Sequence, residues 1–287
     1  MEKVVLGVIG GSGLYELPEC KVLETINPET PFGFPSAPLV KGTIGDLTVY
    51  FLARHGAGHR FNPSEVPYRA NLWALRAVGV THVLAINAVG SLRLEIKPGD
   101  LVVPDQIIDR TKGVRASTYF ENGIVAHAEF ADPYCLDFAA RLAKAARVSG
   151  KTVHEGGTLV VMEGPQFSTR AESKLYISWG AHLIGMTALP EAKLAREAGL
   201  CYASLCLATD YDCWHEAEGD VSVEAVVQVM HQNVAAARRT VVELAAKLGN
   251  SLPTCKCRNA VHRSVMTNHS SAGEEARKRL ALLLEDR

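Results

Sequence analysis

Six short runs of this chain are apolar at nearly every position: Val4–Ile9, Val49–Ala53, Val83–Asn87, Thr158–Met162, His182–Met186 and Tyr202–Thr209. A strand with one wet face alternates apolar and polar residues, so runs without alternation belong to strands covered on both sides. The segments between them keep a different period. Val66–Val78, Leu136–Val148, Arg170–Trp179, Pro190–Ala198 and Val221–Leu248 space their apolar residues as helices do, with Glu65 and Ser222 where a first-turn or capping residue belongs. Buried strands alternating with helices predict a three-layer α/β/α fold around a central, mostly parallel, mixed sheet. No internal repeat or linker interrupts residues 1–250, which read as a single domain. Residues 251–287 read as a polar C-terminal tail, closed by an amphipathic helix over Ala272–Glu285 that can pack on the body or on another subunit. Residues 27–38, with four prolines, read as a surface loop.

Charge narrows the function classes. Thirty Lys plus Arg face 31 Asp plus Glu, a net charge of −1, so no basic excess exists to neutralise a nucleic-acid backbone. Apolar stretches such as His82–Val89 fall far short of the ~20 residues that span a bilayer. The N-terminus runs straight into a strand-like segment without a small-residue cleavage site, and a cytoplasmic location is expected. The seven cysteines are irregularly spaced, and most read as small apolar core residues in a reducing compartment. Cys255 and Cys257 in the tail differ. With His262 or His269 they match no common zinc spacing, so no metal is expected, and a redox role or a staple fits them better.

The chemistry gathers where the apolar runs end. Val4–Ile9 leads into Gly10-Gly11-Ser12-Gly13, Val49–Ala53 into Arg54-His55-Gly56, and Val83–Asn87 into Ala88-Val89-Gly90-Ser91. Thr158–Met162 leads into Glu163-Gly164-Pro165-Gln166-Phe167-Ser168, His182–Met186 into Thr187, and Tyr202–Thr209 into Asp210-Tyr211-Asp212. Open α/β sheets bind ligands beyond the carboxyl ends of their strands, so these ends predict one composite site. The glycine turn fits either a phosphate cradle with the Ser12 hydroxyl or a plain tight turn. It is no Walker loop, and the third glycine of a dinucleotide fingerprint is missing, which counts against a nicotinamide-dependent oxidoreductase. Arg54-His55 fits an anion clamp or a solvated pair. If the backbone stays extended past Thr209, Asp210 and Asp212 project to one face about 6–7 Å apart, and mutual repulsion raises one pKa; the alternative is an Asx turn closing the strand.

Together these segments resemble the nucleoside phosphorylase family, within its trimeric purine branch. The resemblance rests on Gly7–Leu14, Leu52–Gly56, Asn71–Leu75, Gly90–Arg93, Asp105–Thr111, Glu163–Ser168 and Ala208–Trp214. It implies phosphorolysis: phosphate attacks C1′ of a nucleoside and the purine leaves. Inorganic phosphate is then a co-substrate, and no cofactor is needed. By resemblance, Ser12, Arg54, His55, Asn87, Ala88 (through its N–H) and Thr187 hold phosphate. Phe167 lies against the purine, Met186 under the ribose, and Asp210 and Asp212 act on the base as the catalytic pair. A carboxylate accepts from a 6-amino group and repels a 6-oxo group, and Asp210 stands where the 6-oxopurine branch carries Asn. Val223 and Val226 match positions facing the 5′ substituent, where an apolar wall suits methylthio and strands a hydroxyl; ordinary buried helix positions explain their spacing equally well.

The expected reaction is therefore conversion of S-methyl-5′-thioadenosine to adenine and 5-methylthioribose 1-phosphate. The alternatives are a 6-oxopurine or methylthioinosine phosphorylase of the same fold and a non-catalytic nucleotide-binding protein on this scaffold. Two positions depart from the eukaryotic members: Gly185 replaces Asn and Gln166 replaces Arg. His127 matches a segment that enters a neighbouring subunit's site, which implies a homotrimer or a dimer of trimers.

Overall fold

The apolar runs form the middle of one mixed sheet in the computed structural model, which describes residues 3–11, 14, 16–215, 223–249, 255–262, 264–268 and 271–284. In chain order the first elements are β1 (Val5–Gly10), β2 (Cys20–Ile26), β3 (Leu39–Ile44), β4 (Leu47–Ala53), α1 (Tyr68–Ala77) and β5 (His82–Ser91). Next come β6 (Leu101–Val103), β7 (Gln106–Arg110), α2 (Leu136–Arg147), β8 (Val153–Glu155), β9 (Thr158–Met162) and α3 (Arg170–Ser178). The rest are β10 (Leu183–Gly185), α4 (Ala188–Glu197), β11 (Cys201–Asp210), α5 (Val223–Leu248) and α6 (Glu274–Leu284).

Strand β5 is the hub. Its first half pairs in parallel with β1, nearly its whole length pairs in parallel with β11, and its last residues pair antiparallel with β10. The sheet runs β2-β3-β4-β1-β5-β10-β9-β7, with β11, β6 and β8 branching from β5. Helices cover both faces, as the alternation predicts. Leu72 and Leu75 of α1 and Leu189 and Leu194 of α4 share one apolar core. Phe138 and Leu142 of α2 and Val241 and Leu244 of α5 share the other. Each fully buried leucine contributes about 1.5–3 kcal/mol relative to an exposed one.

Several expectations change. The run at His182–Met186 keeps only three residues in β10, because His182 and Met186 lie beyond the paired segment. Strands β2 and β7 have no counterpart among the six apolar runs, because most of their residues are exposed. Residues 27–38 are not wholly a surface loop: Phe32 packs 5.4 Å from Trp73 and 5.1 Å from Tyr119, and Ser36 is buried. Glu65 does not cap α1, whose N-cap is Pro67; its carboxylate accepts from the Asn62 N–H and closes a turn instead. Helix α3 has the capping box, with Thr169 and Glu172 satisfying each other's N–H groups. Ser222 lies outside the described residues.

The tail joins the body. Ala276, Leu280 and Leu283 of α6 enter the core that holds α1 and α4, and Arg279 donates to the Glu121 carbonyl (2.9 Å). Cys135 and Cys201, read as ordinary core residues, converge with Cys255 and Cys257, their sulfurs within 4.8 Å of one another. Among the described residues no histidine joins them; His262 stands outside the group and His269 outside the described residues.

Candidate active site

One cleft of about 610 Å³ opens at the carboxyl ends of β1, β4, β5, β10 and β11. Arg54, His55, Asn87, Ala88, Phe167, Met186, Thr187, Asp210 and Asp212 all line it, together with Gly11. Ala88 is the single exposed residue of the ten in β5, and its small side chain leaves the backbone open to the cleft. Ser12 lies outside the described residues, as do the side chains of Val223 and Val226, although both valines belong to α5.

The end that holds Arg54, Asn87 and Thr187 rests on a buried network that crosses the sheet. Arg54 makes a two-pronged ion pair with Glu191 (2.8 and 3.0 Å) and donates to the Ile86 carbonyl (2.9 Å). Burial opposes the guanidinium charge, but the attraction and hydrogen bonds of Glu191 outweigh it and raise the Arg54 pKa. Arg54 is thus not the free clamp that the sequence suggests, since much of its donor set is already engaged. Tyr202 donates to Glu191 (2.9 Å), Ser204 to Tyr202 (3.5 Å), Asn87 Nδ2 to Ser204 (3.3 Å) and Thr187 Oγ1 to Asn87 Oδ1 (3.0 Å). Glu191, Tyr202 and Ser204 were missed. The available signal was a charged residue, Glu191, inside the apolar spacing of Pro190–Ala198.

His55 is not a cation. Burial, the Arg54 charge and His59 lower its pKa to about 4 against the opposing Phe61 carbonyl. Its Nδ1 lies 2.8 Å from that carbonyl, which cannot donate, so Nδ1 carries the proton and Nε2 keeps a free lone pair. The ring also stacks on His59 at 4.1 Å.

The carboxylate pair occupies the far side. The chain does not stay extended here: β11 ends at Asp210 and Asp212 turns into the left-handed region at φ 50°. Asp210 Oδ1 accepts the Asp212 N–H (2.8 Å), so the pair is also an Asx turn. Asp210 Oδ2 accepts from Thr209 (2.6 Å), and both Asp212 oxygens accept from Ser168 (2.8 and 2.7 Å). Burial raises the Asp210 pKa, with the Asp212 charge a lesser contributor, against the Thr209 and Asp212 hydrogen bonds. Repulsion is thus the smaller cause. Gly90 makes the close approach possible, since a Cβ there would lie 3.0 Å from Asp210 Oδ1 and 2.9 Å from Ile184.

Between these ends, Phe167 is 45% exposed although apolar, and Met186 packs on Gly164. Arg115, unremarked in the sequence, ties the surrounding loops together. It pairs with Glu163 (3.0 Å) and donates to the carbonyls of Met186 (2.5 Å) and Leu189 (2.7 Å). Of the two departures, Gly185 lines the cleft, whereas Gln166 is exposed outside its lining. His127 is exposed and does not line the cleft of its own chain.

The family model for the phosphorylase superfamily matches residues 5–246. The chain belongs to this family. It is 50% identical over 284 residues to an S-methyl-5′-thioadenosine phosphorylase of Geobacter sulfurreducens, covering 99% of each chain. A Sclerotinia sclerotiorum protein of the same name is 52% identical over 247 residues, covering 84% of this chain and 79% of that one. A methylthioadenosine phosphorylase from an antarctic soil metagenomic library superposes with a TM-score of 0.94 at 43% identity, covering 99% of this chain and 100% of that one. A mutant Schistosoma mansoni enzyme solved with methylthioadenosine gives 0.84 at 38% identity, covering 95% and 100%.

Proposed function

We propose that this phosphorylase converts S-methyl-5′-thioadenosine and inorganic phosphate to adenine and 5-methylthioribose 1-phosphate. The observation that carries the reading is a protonatable carboxyl, Asp210, facing Arg54, His55 and Thr187 within one cleft. A phosphate oxygen attacks C1′ as the C1′–N9 bond breaks and its electron pair passes into the purine. Asp210 donates a proton at N7 as that charge develops, which lowers the barrier to departure. Dibasic phosphate loses its own proton on becoming an ester; that proton returns to solvent, because burial and the Arg54 charge hold His55 neutral, and His55 Nε2 serves as a hydrogen-bond acceptor for the phosphate O–H. Adenine gains one proton and phosphate loses one, so the reaction balances.

Arg54, Asn87, Ala88, Thr187 and Ser12 orient the phosphate, Arg54 through the donors that its pairing with Glu191 leaves over. Phe167 offers a face to the base and Met186 a floor to the ribose, and the family match assigns Val223 and Val226 to the 5′ position. These donors suffice without a metal or organic cofactor in the reaction itself. The protein works in the cytoplasm as a homotrimer or a dimer of trimers, with His127 completing a neighbour's cleft. Two features support this: no helix among the described residues is long and apolar enough to cross a membrane, and the His127 segment exposes Val125 beside Met266 of the tail, which is 70% accessible and donates its N–H to the Val125 carbonyl.

The test is adenine release from methylthioadenosine with and without phosphate, beside inosine and methylthioinosine. Phosphate-dependent turnover of methylthioadenosine in at least tenfold excess over the 6-oxopurines, the scale of one discriminating hydrogen bond, is expected. Faster turnover of inosine overturns the reading, and phosphate-independent release identifies a hydrolase.

A further inference from the structure

The four converging cysteines belong to no part of the phosphorolytic cleft. Cys135 is the residue before α2, Cys201 opens β11, and Cys255 and Cys257 flank the start of a short 3₁₀ turn in the tail. Three are buried and Cys255 is half-buried. Cys201 and Cys255 have sulfurs 3.3 Å apart, and all four sulfurs lie within 4.8 Å of one another. A tetrahedron of thiolates 2.3 Å from a zinc ion has edges of about 3.8 Å, inside that range, whereas a disulfide needs about 2.05 Å. The sulfurs form one cluster, with contact between Cys201 and Cys255, residues of different segments, instead of two bonded pairs.

We propose that Cys135, Cys201, Cys255 and Cys257 form a tetrathiolate site for a structural zinc ion. Four protein ligands leave no open position for substrate or water, so the site is structural and not catalytic. Its location agrees. Cys201 and Asp210 stand at opposite ends of β11, about 30 Å apart along an extended strand. The ion ties the start of the tail to α2 and β11, where the chain already approaches so closely that a Cβ on Gly199 would meet the Arg258 carbonyl at 2.9 Å. The surrounding protein therefore presents the tail to the site in register. Binding replaces thiol protons with Zn²⁺ and involves no change of oxidation state.

The experiment is metal analysis of the whole protein, purified with a thiol-free phosphine reductant after growth with zinc. About one zinc per chain is expected, retained by Cys20→Ser and lost by Cys255→Ser and Cys257→Ser. A serine variant that fails to fold leaves a second measurement on the wild-type protein. Replacement of zinc by Co²⁺ should give thiolate-to-cobalt charge transfer and the intense visible bands of a tetrahedral sulfur site. Removal of the ion should lower the melting temperature. Reduced protein that holds no zinc and shows no such cobalt spectrum overturns the proposal. So do disulfides among these residues found by peptide mass analysis in protein kept under reductant. The result is independent of substrate preference, so it stands or falls separately from the proposed reaction.

Discussion

Asp210 shows how one residue trades stability for chemistry. Its pKa is raised mainly by burial, so the native state holds its proton more tightly than the unfolded chain does. Between the ordinary carboxylate value and the raised one, the native state binds more protons, and stability falls as pH rises through that window. Above it the buried carboxylate remains a cost. Asp210→Asn removes that cost. The variant should melt higher than wild type at neutral and alkaline pH and show little difference at pH below the ordinary carboxylate range. Its activity should move the other way, falling by roughly 10²–10⁴ with methylthioadenosine, while turnover of a 6-oxopurine nucleoside rises because the amide donates. Calorimetry and rates across pH measure both. A variant with wild-type adenine release, or no stability gain at neutral pH, would reduce Asp210 to a turn residue. The aspartates were legible as a pair at a strand end. The left-handed turn at Asp212 and the hydroxyls of Ser168 and Thr209 were not, because they depend on loops that meet only in the folded chain.

Among the elements, the central strand carries the decisive detail. In β5 Gly90 must stay without a side chain so that the β11 end can close over it. Gly90→Ala should place a methyl 2.9 Å from Ile184 and 3.0 Å from the Asp210 carboxyl. Overpacking of this kind costs about 1–3 kcal/mol, and the displaced carboxyl should also lower kcat. Thermal unfolding with steady-state kinetics checks this, and an unchanged kcat would show that Asp210 does not need its present position. The apolar runs marked β5, β9 and β11 plainly, because burial on both faces writes itself into every residue. Strands β2 and β7 left no such mark, since most of their residues face solvent.

At the scale of the whole molecule, a lone subunit exposes His127 beside apolar Val125 and Met266. Light scattering should give about three or six times the 31.0 kDa chain mass. His127→Ala should keep that mass and raise the KM for nucleoside by roughly tenfold, the loss of one hydrogen bond to substrate. A fully active monomer would remove His127 from the site. By itself the sequence determined the layered α/β class, the position of the cleft and the residue types that line it. Those follow from period and from what ends each strand, and both are local. The tertiary structure alone decided the partners. Glu191 occupies the Arg54 guanidinium from 137 residues away, Arg115 binds the segments that follow β9 and β10, and four cysteines from three segments share one point. No local period encodes such meetings, because each depends on the path of the chain between them.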